Sequence, residues 1–253
     1  MAEVDPATAA DGAADTAADR LAENLEAVRD RIRDAERQAG RSAGSVELLP
    51  VSKYHPVEAI AVLAGLGVEL VGENREQEAR EKVFQLRESG GVTCGIAMIG
   101  QIQTKKANSV ARWASEVHSL DSVKLARALE RGVALAIERH EREAGELPCL
   151  VQVSADGDTR RGGVAIESVD EVVAAVEASA HLSLRGFMVV PPLDADPGQV
   201  FTQVRGLVDA TAQSLGRPLK FSAGMSGDFE QAIACGSDIV RVGTAVFGQR
   251  PVV

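Results

Sequence analysis

Aromatic residues are scarce in this 253-residue chain: one Trp, one Tyr and six Phe make up 3% of it. So few rings cannot supply a series of platforms for stacking single-stranded bases. Positive charge is also short, with 27 Lys and Arg against 37 Asp and Glu, for a net charge of −10. Nonspecific nucleic-acid binding, which depends on neutralising phosphates, is excluded on that ground. A small phosphorylated ligand is not, because it needs only local positive potential. Cysteine is limited to Cys94, Cys149 and Cys235. Odd in number and widely spaced in apolar surroundings, they read as reduced core thiols and not as a disulfide framework. The histidines His55, His118, His140 and His181 stand at no metal-ligand spacing with them. No run approaches the roughly 18 apolar residues of a membrane span. The Ala- and Asp-rich start lacks the basic and apolar segments of a signal peptide. A cytoplasmic location is the default expectation.

What is present in quantity is apolar residue, 45% of the chain, enough to bury the core of one α/β barrel. Residues 1–16 are small, acidic and aperiodic, which predicts a disordered tail. From about Ala17 to Ala39, Leu21, Leu25, Val28 and Ile32 recur at helical spacing and predict an amphipathic helix before the first strand. Strand-like and helix-like segments then alternate. The strand candidates are Val46–Ser52, Val68–Val71, Gly95–Ile99, Glu116–Leu120, Cys149–Ser154, Leu182–Val189, Leu219–Ser222 and Ile239–Val242. Short apolar strands separated by helices indicate a parallel sheet covered on both faces. Eight of them favour a closed (β/α)8 TIM barrel over an open doubly wound sheet. No GxGxxG follows any strand, which weighs against dinucleotide binding. Residues 17–253 are read as one barrel domain with an extra N-terminal helix and no second domain.

In such barrels active sites lie at the C-terminal ends of the strands, and phosphates often bind after strands seven and eight. Lys53 ends the first strand candidate. Its amine could condense with an aldehyde to an imine if burial eased loss of its proton, or it could simply mark a strand end with its charge in water. Near the other end, Gly224, Gly227 and Gly243 would let the backbone approach an anion, and Ser226 and Thr244 add hydroxyl donors. Ordinary caps and turns would use the same residue types. Arg241, inside the apolar strand Ile239–Val242, needs a partner, either a structural ion pair or part of a bound cofactor. Asn74 with Gln77 makes a plausible capping box for the next helix. Gln101, Gln103, Lys105, Arg160 and Arg161 read as solvated rim residues, and His118 as a satisfied histidine at a core edge. An aldehyde that carries a phosphate would suit both the amine and the glycine-rich segments.

Several stretches together resemble the pyridoxal phosphate homeostasis protein family. They are Leu49-Pro50-Val51-Ser52-Lys53, Val71-Gly72-Glu73-Asn74-Arg75-Glu76-Gln77-Glu78 and Ile99-Gly100-Gln101-Ile102-Gln103-Thr104-Lys105-Lys106. His118-Ser119-Leu120-Asp121, Arg185-Gly186-Phe187-Met188, Ser222-Ala223-Gly224-Met225-Ser226-Gly227-Asp228 and Val240 through Gly248 continue the match in the family's order. The resemblance implies a barrel like the N-terminal domain of alanine racemase, of the fold-type III kind among pyridoxal 5′-phosphate (PLP) proteins. It implies that Lys53 forms the internal imine with PLP and that Ser226, Gly227, Gly243 and Thr244 hold the phosphate. It further implies Arg241 facing the pyridine nitrogen and Asn74 close to the ring. Two departures stand out. Ile96-Ala97-Met98 replaces a usual Trp-His pair, and Ser154 replaces a common Asn.

Two functions compete. The resemblance implies a protein that holds and delivers PLP, with apo PLP-dependent enzymes as partners and no dedicated catalytic activity. The alternative is an amino-acid racemase. Alanine racemase pairs its lysine with a tyrosine supplied by an additional domain, which this sequence lacks after its eighth strand. Tyr54 is the only tyrosine, and an immediate neighbour of Lys53 in an extended strand would point to the opposite side. A guanidinium at the ring nitrogen cannot accept its proton and leaves a weak electron sink. Holder is favoured over racemase, and a monomer is expected.

Overall fold

The computed structural model describes residues 6–90 and 93–249, with side chains from residue 17 onward. Its strands are β1 (Glu47–Pro50), β2 (Leu70–Glu73), β3 (Gly95–Met98), β4 (Glu116–Leu120), β5 (Leu147–Ser154), β6 (Val164–Ala165), β7 (Leu182–Val189), β8 (Lys220–Ser222) and β9 (Ile239–Val242). The helices are α1 (Pro6–Gln38), α2 (Val57–Gly65), α3 (Glu76–Glu88), α4 (Ala107–Trp113), α5 (Val123–Glu138), α6 (Val169–Glu177), α7 (Pro197–Leu215), α8 (Phe229–Ala234) and α9 (Thr244–Phe247).

All strand pairings are parallel, in the order β1-β9-β8-β7-β5-β4-β3-β2. A parallel bridge from Val51 to Gly72, with the Ser52 N–H donating to Gly72 O at 3.0 Å, joins the two ends. The expected single barrel of eight parallel strands is therefore closed, leaving no edge. The two-residue β6 lies off this ring and pairs only with β5. Leu49, Ala97, Leu150, Met188 and Ile239 pack together inside the ring. A second, larger cluster fills the layer between strands and helices, as strands buried on both faces require.

Helix α1 earns its place by the spacing read from the sequence. Leu21, Leu25, Val28 and Ile32 are all buried. They bring α1 against α2, α8 and α9, and the Asn24 amide donates to Val246 O at 3.1 Å. Helix α9 is only four residues long, so α1 supplies the cover that an eighth crossover helix would give. The expected tail, 1–16, divides. Residues 1–5 lie outside the described residues, and from Pro6 the backbone already belongs to α1. The start is earlier than the expected Ala17 because the segment is rich in Ala, the best helix former.

Two boundaries differ in ways that matter below. Strand β2 starts at Leu70, because the Val68 N–H still bonds to Leu63 O and closes the end of α2. It then continues through Glu73. Helix α3 consequently begins at Glu76 with Arg75 as its cap, and no side chain caps it. The expected Asn74–Gln77 capping box is not formed.

Candidate functional site

Strand order alone brings the two distant sequence segments together. β1 lies beside β9, and Pro50 pairs with Val242. The Val51 N–H donates to Val242 O at 2.9 Å, and the Arg241 N–H donates to Gly224 O at 2.9 Å. A Cβ placed on Gly243 would lie 3.4 Å from Val51 O. Lys53 follows β1, Asn74 follows β2, the Ser226–Gly227 turn follows β8, and Gly243–Thr244 follows β9. All four therefore leave the barrel at its C-terminal mouth. Lys53, Asn74, Ser226 and Gly243 are half-buried there, while Gly227 and Thr244 are exposed.

The loop after β8 is shaped by one glycine and one carboxylate. Gly224 has φ +93°, and a Cβ there would meet Ala232 and Phe229 at 2.7 and 2.8 Å, so only glycine fits. Asp228 Oδ1 accepts the Met225 N–H at 2.6 Å and folds the loop back on itself. Ser226 and Gly227 stand at the tip. Nothing lies within 4 Å of the Cβ position of Gly227, so its backbone faces open space.

Arg241 is 4% exposed inside the barrel. Its Nη1 donates to Ser222 Oγ at 2.7 Å and its Nη2 to Val189 O at 2.8 Å. Both partners are neutral, so the expected structural ion pair is not formed. Burial pulls the guanidinium down to about 10, partly opposed by Asp228, and it remains charged at neutral pH. A buried cation held by two neutral acceptors keeps donor capacity in hand.

Asn74 is fixed by backbone and not by its side chain. A Cβ on Gly100 would fall 2.1 Å from Asn74 O, so the ends of β2 and β3 touch through a missing side chain. Asn74 Oδ1 is buried and has no hydrogen-bond partner among the described residues. An unmet acceptor of that kind at a mouth invites a ligand donor or water.

Sequence reading missed a group beneath Lys53. Glu73 is fully buried, and its Oε1 accepts from Ser52 Oγ at 2.6 Å and from Lys82 Nζ at 2.6 Å. Burial pushes the Glu73 carboxyl above its usual range, against the hydrogen bonds from Lys82 and Ser52. Tyr54 is not in an extended strand, as its neighbourhood to Lys53 had suggested. It has φ +66° in the turn after β1, and Arg75 lies 4.9 Å from its ring centroid.

Other expected residues lie at the surface. Gln101, Gln103, Lys105, Arg160 and Arg161 are exposed, and the two arginines pair with Asp158 and Asp156. Lys105 faces a groove between α4 and α5, outside the mouth. His118 is fully buried, and burial lowers its pKa. It lies 2.9 Å from a Glu116 carboxylate oxygen, which makes Nε2 the donor. Its Nδ1 has no partner among the described residues, so the expected satisfied histidine is satisfied on one side only. Cys149 is buried and Cys94 half-buried, and burial lifts their thiols to about 12 and about 11, out of the reactive range.

A cleft of about 560 Å³ opens at the opposite, N-terminal end of the barrel beside Glu47, Leu70, His118 and Arg185. Several charges at it pair with one another: Arg185 bonds Glu47 and Glu116, and Lys220 pairs with Glu47. The cavity at the mouth, about 240 Å³ beside Gly100, Gln101, Gln152, Ser154 and Met188, is smaller and meets the converging segments only where Gly100 touches the Asn74 backbone. Among the described residues no group of acidic, cysteine and histidine side chains is arranged to hold a metal ion. No described helix is long and apolar enough to cross a membrane.

Residues 23–251 match the family model for the alanine racemase N-terminal domain. The chain is 52% identical over 208 residues to the pyridoxal phosphate homeostasis protein of Corynebacterium glutamicum, covering 82% of this chain and 92% of that one. Among solved structures it is similar to PipY of Synechococcus elongatus with PLP bound. The identity is 28%, the TM-score 0.75, and coverage is 90% of this chain and 100% of that chain. An alanine racemase of Clostridium difficile shares the fold, with a TM-score of 0.66 at 15% identity, over 92% of this chain and 58% of the racemase.

Proposed function

The chain belongs to the pyridoxal phosphate homeostasis protein family, and from that premise we propose that it holds PLP through Lys53 and takes part in the cofactor's homeostasis and delivery. The observation that carries the reading is the shared mouth. An amine after β1 and two glycine-and-hydroxyl segments after β8 and β9 leave adjacent strands at the same end. Lys53 would hold the group covalently, its Nζ joining the aldehyde carbon with loss of the carbonyl oxygen as water. Ser226 and Thr244 would donate hydroxyls to the phosphate, and Gly227 and Gly243 would let backbone N–H groups approach it. The residues fit such a group. No side chain crowds the Gly227 backbone, and the buried Asn74 Oδ1 has an acceptor position that a ligand donor could fill. Bound PLP supplies a conjugated ring able to absorb electron density.

Arg241 decides between holding and turnover. In this reading its guanidinium faces the pyridine nitrogen, where it donates a hydrogen bond and cannot take a proton. The ring then stays a weak electron sink, which suits storage better than removal of a substrate α-proton. The guanidinium's present partners, Ser222 and Val189, include no carboxylate that would change this. Racemisation assays over a panel of amino acids with the PLP-loaded protein test the choice. Absence of turnover together with cofactor transfer to an apo enzyme supports holding, and robust racemisation overturns it.

A substitution separates the phosphate from the rest of the ligand. Thr244→Val is expected to weaken PLP binding about tenfold, the value of roughly 1.5 kcal/mol for a hydrogen bond to a charged group. Pyridoxal, which has no phosphate, should bind the variant and the parent equally. Titration of both ligands by visible absorbance checks this.

A further inference from the structure

The two residues flanking Lys53 are tied down by a buried ionic cluster that cofactor contact does not explain. Lys82 rises from α3, and its side chain is 7% exposed. Its Nζ donates to Ser52 O at 2.9 Å, Glu73 Oε1 at 2.6 Å and Glu78 Oε1 at 2.7 Å. Those are all three protons of the ammonium. Each carboxylate then holds a second group next to Lys53. Glu73 Oε1 accepts the Ser52 hydroxyl at 2.6 Å, and Glu78 Oε1 accepts the Tyr54 N–H at 2.7 Å. Ser52 is thus gripped by its carbonyl and hydroxyl and Tyr54 by its amide, with Lys53 between them. Tyr54 sits at φ +66°, a region that a bulky L-residue adopts only when its surroundings hold it there. Beyond the Ser52 N–H the barrel ladder no longer restrains this turn; the His55 N–H closes it locally onto Ser52 O at 3.1 Å. A carboxylate and an ammonium buried at this point, with the partly exposed Glu78 beside them, cost desolvation that apolar side chains would avoid.

We propose that Lys82, Glu73 and Glu78 act as positioning residues: they form a clamp that sets the path of Ser52–Tyr54 and so aims the Lys53 amine at the aldehyde. The inference rests on the Lys53 reading above and adds to it the residues that make the amine's placement reproducible. A displacement of about 1 Å at a reacting atom can cost about 100-fold in rate, so a released turn is felt first in imine formation.

The test uses the full chain and two ligands. PLP reports imine formation through visible absorbance and the fraction fixed to Lys53 by borohydride. Pyridoxamine 5′-phosphate has no aldehyde and reports only the phosphate and ring contacts. Lys82→Met and Glu78→Ala are each expected to slow imine formation at least about tenfold, with pyridoxamine 5′-phosphate affinity unchanged. Glu78→Gln keeps a carbonyl acceptor for the Tyr54 N–H and should restore the rate. Glu78 is partly exposed, so it carries the test if Lys82→Met does not fold. Parental imine formation in folded Glu78→Ala overturns the inference, as does an equal loss of pyridoxamine 5′-phosphate binding, which would mark a merely structural role. If the parent protein itself forms no imine on Lys53, the functional reading fails first, and the clamp falls with it.

Discussion

Lys53→Ala is expected to abolish covalent capture of PLP. Among the described residues the other lysine amines are occupied or sit elsewhere: Lys106 pairs with Glu76, and Lys124 lines the groove between α4 and α5. Lys82 is committed to three acceptors beneath the turn, Lys105 faces outward between α4 and α5, and Lys220 sits with Glu47 at the other end of the barrel. The variant should lose the visible absorbance of the protonated imine and leave nothing for borohydride to fix. It should still bind the ligand weakly, because Ser226, Gly227, Gly243 and Thr244 are untouched. Folding should change by no more than about 0.5 kcal/mol, since Lys53 is half-buried and its side chain leaves no apolar cavity. Absorbance, borohydride fixation and urea unfolding of the same preparation separate these outcomes. Undiminished fixation in Lys53→Ala would contradict the assignment.

Gly100→Ala is expected to have a large effect on folding. The added Cβ would meet Asn74 at 2.1 Å from O and 2.7 Å from C. Those are backbone atoms, so no rotamer change relieves the overlap, and the ends of β2 and β3 must part. Over-packing of this kind costs up to about 3 kcal/mol. The same movement displaces Asn74 and pulls on Glu73, the last residue of β2 and a member of the clamp. Affinity for PLP should therefore fall along with stability, by at least about tenfold. Gly227→Ala is the control: nothing lies within 4 Å of the new methyl, and folding should be unchanged. Urea midpoints of the three proteins decide the matter, and a Gly100→Ala midpoint equal to the parent's would show that the contact yields easily.

The eight barrel strands were legible because each is a short apolar run, and a strand buried on both faces must be one. α1 was legible because Leu21, Leu25, Val28 and Ile32 keep helical spacing along one buried face. The convergence of Lys53 with the Gly224 and Gly243 segments followed from barrel topology, not from any local signal. What failed did so where a local pattern had a tertiary competitor. Asn74 and Gln77 satisfy the spacing of a capping box, but β2 runs on through Glu73, and Gly100 fixes the backbone of Asn74 before the helix can start. The clamp was invisible for a related reason. Glu78 and Lys82 stand four residues apart on α3, a spacing that ordinarily denotes a solvated pair. Only the strand end packed beneath them, with fully buried Glu73, takes that lysine out of water. His118 is bonded through Nε2 to Glu116 alone, and its Nδ1 has no partner among the described residues, which a position at a strand end does not reveal.

One measurement bears most directly on the claim that a single mouth joins the amine to the anion cradle. The protein is loaded with PLP, reduced with borohydride and digested, and the peptide carrying the pyridoxyl group is identified. The expected product is the peptide containing Lys53, formed in the parent and absent from Lys53→Ala. A pyridoxyl group found instead on Lys105 or Lys220, or no fixed ligand at all, would contradict the account.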